Sequence, residues 1–191
     1  MRIISGDARG RKLFAPAGEE TRPTADRIRE SLFNIIGTRV FDAQVLDLFG
    51  GTGAMALEAL SRGAAHAVIV DVAREAIQAI ERNAQGVLKD DLPRRARIIR
   101  SDYRTAIGTL GGMAFDVVFL DPPRAGSTPE FIAALAKMAP KKAVYVSCDP
   151  TTLARDLALF AAKGYKARAI QPVDMFPHTE HIEVVCLLSK L

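Results

Sequence analysis

The stretch that decides the fold is Val45-Leu46-Asp47-Leu48-Phe49-Gly50-Gly51-Thr52-Gly53, which runs directly into Ala54-Met55-Ala56-Leu57-Glu58-Ala59-Leu60. It begins with a short apolar run of the kind that a buried parallel strand requires. The residues after the glycines carry apolar side chains at helical spacing. Glycines let the backbone approach a ligand closely, and a helix N-terminus offers free N–H groups. A strand, a glycine-rich turn and a helix therefore predict an α/β fold with a doubly wound, mostly parallel sheet and a nucleotide-type binding site.

The glycines alone leave the ligand open among NAD, FAD and S-adenosylmethionine (SAM), because Gly51-x-Gly53-x-x-Ala56 also fits the dinucleotide pattern. Asp47 favours SAM, since a carboxylate at the end of the first strand repels a pyrophosphate but suits the ammonium of the methionine moiety. Asp47-x-Phe49-x-Gly51-x-Gly53 resembles motif I of the Rossmann-like class I SAM-dependent methyltransferases, whose last strand is antiparallel. The resemblance implies that the cofactor contacts Asp47, Phe49, Gly50, Gly51 and Gly53.

Composition bounds the remaining possibilities. The 191 residues, 49% hydrophobic and 25% charged, predict a globular chain, which we divide into a basic hairpin and helix extension (1–40) and a methyltransferase domain (41–191). The net charge of +4 permits an anionic partner such as RNA. Cys148 and Cys186 form no C-x-x-C motif, so we expect no metal site. Without a signal peptide or a membrane-length apolar run, we expect a soluble cytoplasmic protein with no membrane partner, its oligomeric state open.

Residues 1–40 predict a small hairpin followed by a helix over 25–36 capped by Thr24, both lying across the cofactor site. Arg22, Arg27 and Arg29 surround the start of this helix, where the dipole disfavours cations. An anion bound nearby explains them more easily than a solvated basic face, which is the alternative. The candidate contacts to RNA are Arg9, Arg11, Lys12 and Arg22.

Two longer patterns lie in this region, Arg2-x-Ile4-Ser5-Gly6-x-Ala8-Arg9-Gly10-Arg11-x-Leu13 and Thr21-Arg22-Pro23-Thr24-x-Asp26-Arg27-x-Arg29-Glu30-x-Leu32-Phe33-Asn34-Ile35. With the motif I stretch they resemble the RsmD-type family over about residues 1–65. Members of that family methylate guanine N2 in 16S ribosomal RNA. The resemblance implies a SAM-dependent RNA methyltransferase whose partner is ribosomal RNA or an assembling ribosomal subunit.

Three further carboxylates follow predicted strands. Asp71 ends a strand over 67–71, where it can accept both ribose hydroxyls or cap the helix predicted over 73–85, with Asn83 at its end. Asp102 and Tyr103 follow a strand over 96–100, where such enzymes place a carboxylate beside the adenine. Asp121-Pro122-Pro123 follows the fourth strand, near the switch point of the sheet where ligands bind. Asp121 is therefore expected to face both the SAM methyl group and the target base, in a loop that the prolines stiffen.

The second half of the chain has three blocks in order, Asp121-Pro122-Pro123-Arg124-Ala125-Gly126, Val144 to Leu157 with Ser147-Cys148-Asp149-Pro150, and Asp174 to Glu183 with His181-Ile182-Glu183. Over about residues 115–191 they resemble the RNA uracil-C5 methyltransferases. The resemblance implies that Cys148 is the nucleophile and Glu183 the base. Two positions depart from family patterns: Asp149 replaces the commoner Asn, and Arg124 replaces the aromatic residue that follows Pro-Pro in RsmD-like enzymes. Asp149 places a negative charge beside the nucleophile, which opposes thiolate formation.

The chemistry suits these residues, because uracil C5 becomes nucleophilic only after a thiolate adds at C6, and a base must then remove the C5 proton. Cys148 follows a predicted strand over 143–147 and Glu183 lies in the last strand, over 182–188, so both reach the same rim. Asp121, Pro122, Pro123 and Arg124 would then hold the uracil. We prefer this reading to guanine-N2 methylation without a covalent step. A non-catalytic SAM- or RNA-binding module is less favoured, and a dehydrogenase least. Cys186 is predicted to lie in the core, and His178 and His181 to be loop or capping residues.

Overall fold

A computed structural model describes residues 1–15, 26–174 and 182–191. The predictions for Arg22, Thr24, His178 and His181 lie outside these residues. The described helices are α1 (Asp26–Ile36), α2 (Ala54–Ser61), α3 (Arg74–Leu88), α4 (Leu92–Arg95), α5 (Tyr103–Leu110), α6 (Pro129–Met138) and α7 (Pro150–Ala162), with 3₁₀ turns at Gly37–Val40 and Lys89–Asp91. The described strands are β1 (Gln44–Asp47), β2 (His66–Asp71), β3 (Ala96–Arg100), β4 (Val117–Leu120), β5 (Lys142–Ser147), β6 (Tyr165–Asp174) and β7 (Ile182–Lys190).

The strands form one sheet in the order β3-β2-β1-β4-β5-β7-β6. Strands β1 to β5 pair in parallel, whereas β7 runs antiparallel to both of its neighbours. This arrangement confirms the predicted mostly parallel sheet with an antiparallel last strand. The strand order reverses between β1 and β4, so the carboxyl ends of these two strands border the crevice where α/β sheets bind ligands.

Alternate residues of the central strands face two separate cores, which is why these strands read as continuous apolar runs. Val45, Phe119 and Val144 belong to the core beneath α1, α2 and α3. Leu46 and Val118 belong to the core beneath α5, α6 and α7, together with Cys186, which is fully buried as predicted. Helices on both faces confirm the doubly wound architecture.

The N-terminal residues form the predicted hairpin, and this hairpin packs on α2. Arg2 and Lys12 form an antiparallel bridge, and Ile3 is fully buried. The buried Glu58 of α2 accepts hydrogen bonds from the backbone N–H groups of Ile4 (2.7 Å) and Ser5 (3.0 Å). Helix α1 packs against β6 and β7. The described residues of this part, 1–15 and 26–40, thus share a core with the central sheet.

Two sequence-based predictions, one for α3 and one for α1, were wrong. Asn83 does not end its helix: α3 continues to Leu88, and the Asn83 side chain is buried inside it. Arg29 is neither solvated nor available to an external anion, because it is fully buried and donates to the Arg2 carbonyl (2.5 Å) and to Asp26 (2.7 Å). Burial lowers the pKa of Arg29, while the Asp26 and Glu58 carboxylates oppose that change. The protein's own acceptors therefore satisfy Nη2 of Arg29, while Nε and Nη1 have no hydrogen-bond partner among the described residues.

Among the helices that the structure describes, none is both long enough and apolar enough to cross a lipid bilayer.

Candidate functional site

The glycine-rich turn of motif I joins the carboxyl end of β1 to α2. Gly51 and Gly53 have φ values of 55° and 77°, a left-handed region that disfavours residues with a side chain. Gly50 is required by packing instead, since a Cβ there would lie 2.8 Å from Ile69 and 2.9 Å from Ile80. The turn is therefore closely packed at the carboxyl end of β1, and Gly51 is its half-buried residue while Gly50, Thr52 and Gly53 are buried.

Asp47 lies at the end of β1 and is only 3% exposed. Its Oδ1 accepts from the Phe49 N–H at 3.3 Å, while its Oδ2 has no hydrogen-bond partner among the described residues. Burial, followed by the charges of Asp121 and Asp71, raises the pKa of Asp47 to about 7, although the backbone N–H groups of Phe49 and Ala56 offset part of this increase. A buried acceptor without a partner needs one. The ammonium group of SAM fits this need, because it is a cation with several donors.

Asp71 connects the motif I turn to the start of α3. Its Oδ2 accepts from the Gly51 N–H at 2.8 Å, and its Oδ1 accepts from the Ala73 N–H at 2.9 Å. Each carboxylate oxygen can accept a further bond, so the structural role leaves room for two ribose hydroxyls. Asp102 is exposed and caps α5 by accepting from the Arg104 N–H at 2.9 Å.

Three aromatic rings pack together beside these carboxylates. The Tyr103 ring lies 5.0 Å from the Phe49 ring and 4.9 Å from the Phe131 ring, measured between centroids. Tyr103 therefore packs within this aromatic cluster, and it is half-buried next to Asp102. Sequence reasoning missed Phe131. Thr128 and Pro129 mark the start of its helix, but its ring partners, Phe49 of the motif I turn and Tyr103 of α5, are distant in sequence.

The loop of residues 121–127, here called the Pro-Pro loop, follows β4. Asp121 is exposed at the strand end and lies close enough to Asp47 to raise the pKa of that carboxyl. Pro122 is half-buried, and Pro123 and Arg124 are exposed. The far end of the loop is bonded to the buried Asp156 of α7, which accepts from the Ser127 N–H at 2.7 Å. Sequence reasoning missed Asp156.

Cys148 and Glu183 lie at the same rim of the sheet. The β5–β7 ladder ends with the pair Ser147 and Val184. Cys148 follows Ser147 on β5, and Glu183 precedes Val184 on the antiparallel β7, so the two residues come next at this end of the ladder. Both residues are half-buried. Because β5 neighbours β4, this rim adjoins the Pro-Pro loop. The structure thus brings Asp121, Cys148 and Glu183 to adjacent strand ends.

Asp149 caps α7 by accepting from the Thr152 N–H at 2.9 Å. Backbone N–H groups of Thr152 and Thr151, together with the charge of Arg124, hold the pKa of Asp149 below its usual value. The Asp149 carboxylate is therefore kept ionised by the bonds that it accepts at the start of α7.

The basic candidates divide into two places. Arg124 belongs to the Pro-Pro loop, whereas Arg9, Arg11 and Lys12 are exposed on the hairpin. The hairpin is fixed to the cofactor side, since Asn83 bonds both the Phe14 backbone and the Thr52 carbonyl of the motif I turn. Within residues 1–15, 26–174 and 182–191, no group of three or more His, Cys, Asp or Glu side chains is placed to hold a metal ion.

The chain is similar to several known proteins. A solved structure described as putative methyltransferase yhhF from Escherichia coli is 31% identical, with a TM-score of 0.74 over 100% of this chain and 97% of that one. The tRNA (uracil-54, C5)-methyltransferase of Pyrococcus abyssi, solved with S-adenosyl-L-homocysteine, is 29% identical, with a TM-score of 0.64 over 84% of this chain and 38% of its own. The putative rRNA methyltransferase YlbH of Bacillus subtilis is 42% identical over 125 residues, 64% of this chain and 66% of YlbH. Other curated relatives, named uncharacterized RNA methyltransferases, are longer, and the chain spans about a third of their length.

The family model described as conserved hypothetical protein 95 matches residues 1–168. The RsmD-like likeness, which the motifs indicated for about residues 1–65, therefore extends through the Pro-Pro loop, β5 and α7. The chain accordingly belongs to the family described as conserved hypothetical protein 95, the RsmD-like family, and has the fold of the SAM-dependent methyltransferases.

Proposed function

We propose that this protein transfers a methyl group from SAM to a base in RNA, and that the base is a uracil methylated at C5. The observation that carries this proposal is the placement of Cys148 and Glu183 on neighbouring strand ends beside the Pro-Pro loop. A thiol and a carboxylate at one rim are the two groups that C5 methylation requires. The likeness to a tRNA uracil-C5 methyltransferase supports the same reading.

SAM supplies an electrophilic methyl group when it is bound. Asp47 would accept the ammonium group through its unpartnered Oδ2, and Asp71 would accept the ribose hydroxyls. Asp102 would lie beside the adenine amino group, near the Phe49 and Tyr103 rings. The glycines of the turn let the backbone approach the ligand. The carboxylates Asp47, Asp71 and Asp121 make the site negative, which favours a cationic ligand.

The chemical steps assign one job to each catalytic residue. The Cys148 thiolate adds to uracil C6, and the resulting enolate is nucleophilic at C5. Bound SAM would supply the methyl group that C5 accepts, its sulfonium sulfur keeping the electron pair of the broken S–CH₃ bond. Glu183 removes the C5 proton, and the electron pair of that C–H bond expels the thiolate from C6. Arg124 and Asp121 would bind the polar edge of the uracil ring, one as a donor and the other as an acceptor.

The exposed cations of the hairpin support RNA as the partner. Arg9, Arg11 and Lys12 point to solvent and can neutralise phosphates, which dominate affinity for nucleic acid. The name of YlbH, an rRNA methyltransferase, supports ribosomal RNA or an assembling ribosomal subunit as the substrate.

A second candidate is methylation of guanine N2, which the RsmD-like family match favours. In that reaction the Asp121 carboxylate and the backbone carbonyls of the prolines would accept from the exocyclic amine. The amine would then attack the methyl group directly. No thiolate is needed, so Cys148 would be a bystander.

Methyl transfer from labelled SAM to bulk ribosomal RNA distinguishes the candidates when the modified nucleoside is identified by mass. The matched variants are Cys148→Ala and Cys186→Ala, since the second removes a thiol from the core. We expect 5-methyluridine from the wild type and from Cys186→Ala, and none from Cys148→Ala. N2-methylguanosine made equally well by all three proteins would establish the second candidate. SAM binding without transfer to any RNA would make the protein a non-catalytic module.

Glu183→Gln adds a test of the covalent step. Without the base, the methylated uracil cannot release the thiol, so a protein–RNA adduct that survives denaturation is expected. The double variant Cys148→Ala/Glu183→Gln is its control and should form no adduct. If the single variant Glu183→Gln forms no adduct, the assigned role of Glu183 is refuted.

A further inference from the structure

We infer that four side chains, here called the Asp156 cluster (Ser127, Tyr145, Arg155 and Asp156), position the Pro-Pro loop for methyl transfer. Asp156 is the positioning residue, and it acts through the loop without touching the substrate. This inference rests on the proposed function, because it concerns the groups that would bind the target base.

One oxygen of Asp156 joins the loop to β5. Oδ2 accepts from the Tyr145 hydroxyl at 2.5 Å and from the Ser127 N–H at 2.7 Å. Asp156 is fully buried and Tyr145 is 1% exposed, so water does not compete for these bonds. Burial and the adjacent Asp156 carboxylate raise the pKa of Tyr145, which keeps its hydroxyl protonated as the donor. Charge-assisted bonds of this length are strong and directional.

The other oxygen of Asp156 joins the loop through Arg155. Oδ1 accepts from Nε and Nη2 of Arg155, at 2.9 and 2.8 Å. The same Nη2 donates to the loop carbonyls of Ala125 (2.9 Å) and Ser127 (3.2 Å). Thr152 adds a bond to the Arg124 carbonyl at 3.1 Å. Helix α7 thus bonds the backbone of the loop from residue 124 to residue 127.

Gly126 shows how closely the loop is seated on α7. Its φ is 73°, and a Cβ there would lie 2.6 Å from Asp156 Oδ2, 2.6 Å from Thr152 and 2.7 Å from Arg155. No side chain fits in that space. The glycine is therefore required both by its backbone conformation and by the contact with the cluster.

The elements that the cluster joins are the ones that carry the reacting groups. The loop carries Asp121 and Arg124, Tyr145 lies on β5 three residues before Cys148, and α7 begins two residues after Cys148. Pro122 and Pro123 have no N–H to donate, and within the loop the Pro123 carbonyl accepts from the Gly126 N–H at 2.8 Å. A buried carboxylate is also a poor source of stability compared with apolar packing. Its directional bonds instead fix where the loop stands relative to Cys148.

The test compares Asp156→Asn, Tyr145→Phe and Gly126→Ala with the wild type. Gly164→Ala is the control, because Gly164 has a similar φ of 82° but open space around its missing Cβ. We expect kcat for RNA methylation to fall about 100-fold in Asp156→Asn and Gly126→Ala, since a small misplacement of a positioned group costs that much. Tyr145→Phe removes one bond and should lose less. The Kd for SAM and the KM for RNA should stay within about twofold.

Hydrogen exchange gives a readout that does not need activity. The Ser127 N–H loses its charged acceptor in Asp156→Asn, so peptides covering 121–128 should exchange faster while those of β1 and α2 do not change. Unchanged kcat together with unchanged loop exchange would overturn the inference. So would a parallel loss of SAM affinity, because the cluster would then only hold the fold. If Asp156→Asn fails to fold, Tyr145→Phe and Gly126→Ala decide. A wild type that methylates no RNA would refute the proposed function, while the loop exchange would still test the cluster.

Discussion

Lowering the pH is expected to weaken SAM binding through Asp47. The pKa of this carboxyl is raised to about 7, first by burial and then by the neighbouring carboxylates. Only the ionised form attracts the ammonium group, so the apparent Kd scales with one plus the ratio of protonated to ionised Asp47. Between pH 7.0 and pH 5.5 this factor rises about 16-fold, which corresponds to about 1.6 kcal/mol. An aspartate with an ordinary pKa near 4 would change the Kd by only a few per cent over the same range.

Calorimetric titration of the protein with SAM at the two pH values measures this change. The ammonium stays mostly protonated in this range, since α-amino groups titrate near pH 8. Repeating the pH 5.5 titration in buffers of different ionisation enthalpy should show release of nearly one proton, because SAM binds the ionised carboxylate. Asp47→Asn should bind SAM more weakly and lose the pH dependence. Asp102→Asn removes an exposed carboxylate of the same site, and this control variant should keep the pH dependence of the Kd for SAM.

Two results would refute this reasoning. A wild-type Kd that agrees within twofold at both pH values would mean that Asp47 is not the acceptor, or that it is ionised throughout. A pH dependence that persists unchanged in Asp47→Asn would assign the titration to another group.

Three further predictions concern stability and RNA binding. The folded-state pKa of Asp47 lies above its unfolded value, so this group stabilises the ligand-free protein less as the pH rises. Between pH 5 and pH 7 the free energy of unfolding should fall by about 2 kcal/mol because of it. Denaturant titrations should show this decrease for the wild type but not for Asp47→Asn. Asn83→Ala should lower the free energy of unfolding by about 2–4 kcal/mol, because it leaves backbone groups of Phe14 and Thr52 without partners. Gln85→Ala, on the exposed side of α3, is the control and should change the free energy of unfolding little in the same titrations. Replacing Arg9, Arg11 and Lys12 by Gln should reduce the salt slope of RNA binding by about 2, at about 0.7 per phosphate contact on a single strand. The same change at the exposed Lys137, Lys163 and Lys166 is its control, and equal slopes for both triple variants would contradict a role for the hairpin.

The sheet could be predicted from the sequence because its signals are local. The run 96–100 was predicted as a strand with the bounds that the structure gives, and the motif I turn lies between the predicted strand and helix. Both follow from apolar runs bounded by glycines or charged residues. The placement of Cys148 and Glu183 at one rim also followed, since parallel order and an antiparallel last strand fix which ends meet.

The polar residues that connect distant segments could not be predicted in this way. Asn83, Glu58 and Asp156 lie on helices whose periodicity marks them only as helical positions. Their partners are far away in sequence: Phe14 for Asn83, Ile4 for Glu58 and Ser127 for Asp156. A buried polar group is satisfied by whatever tertiary structure brings to it. Arg29 was misread for the same reason, because the carbonyl that it binds belongs to Arg2.

The two departures from family patterns are connected in the structure. Asp149 adds a negative charge directly after Cys148, which by itself would disfavour a thiolate. Arg124 replaces an aromatic ring, and its charge is one of the groups that hold the pKa of Asp149 low. The backbone of Arg124 is in turn bonded to Thr152, whose N–H Asp149 accepts. Both departures are therefore tied to the first turn of α7, Asp149 by accepting from the Thr152 N–H and Arg124 by accepting through its carbonyl from the Thr152 hydroxyl. An aromatic ring at position 124 would have offered a stacking surface for a purine, and its absence is consistent with the proposal that the smaller uracil is the target base.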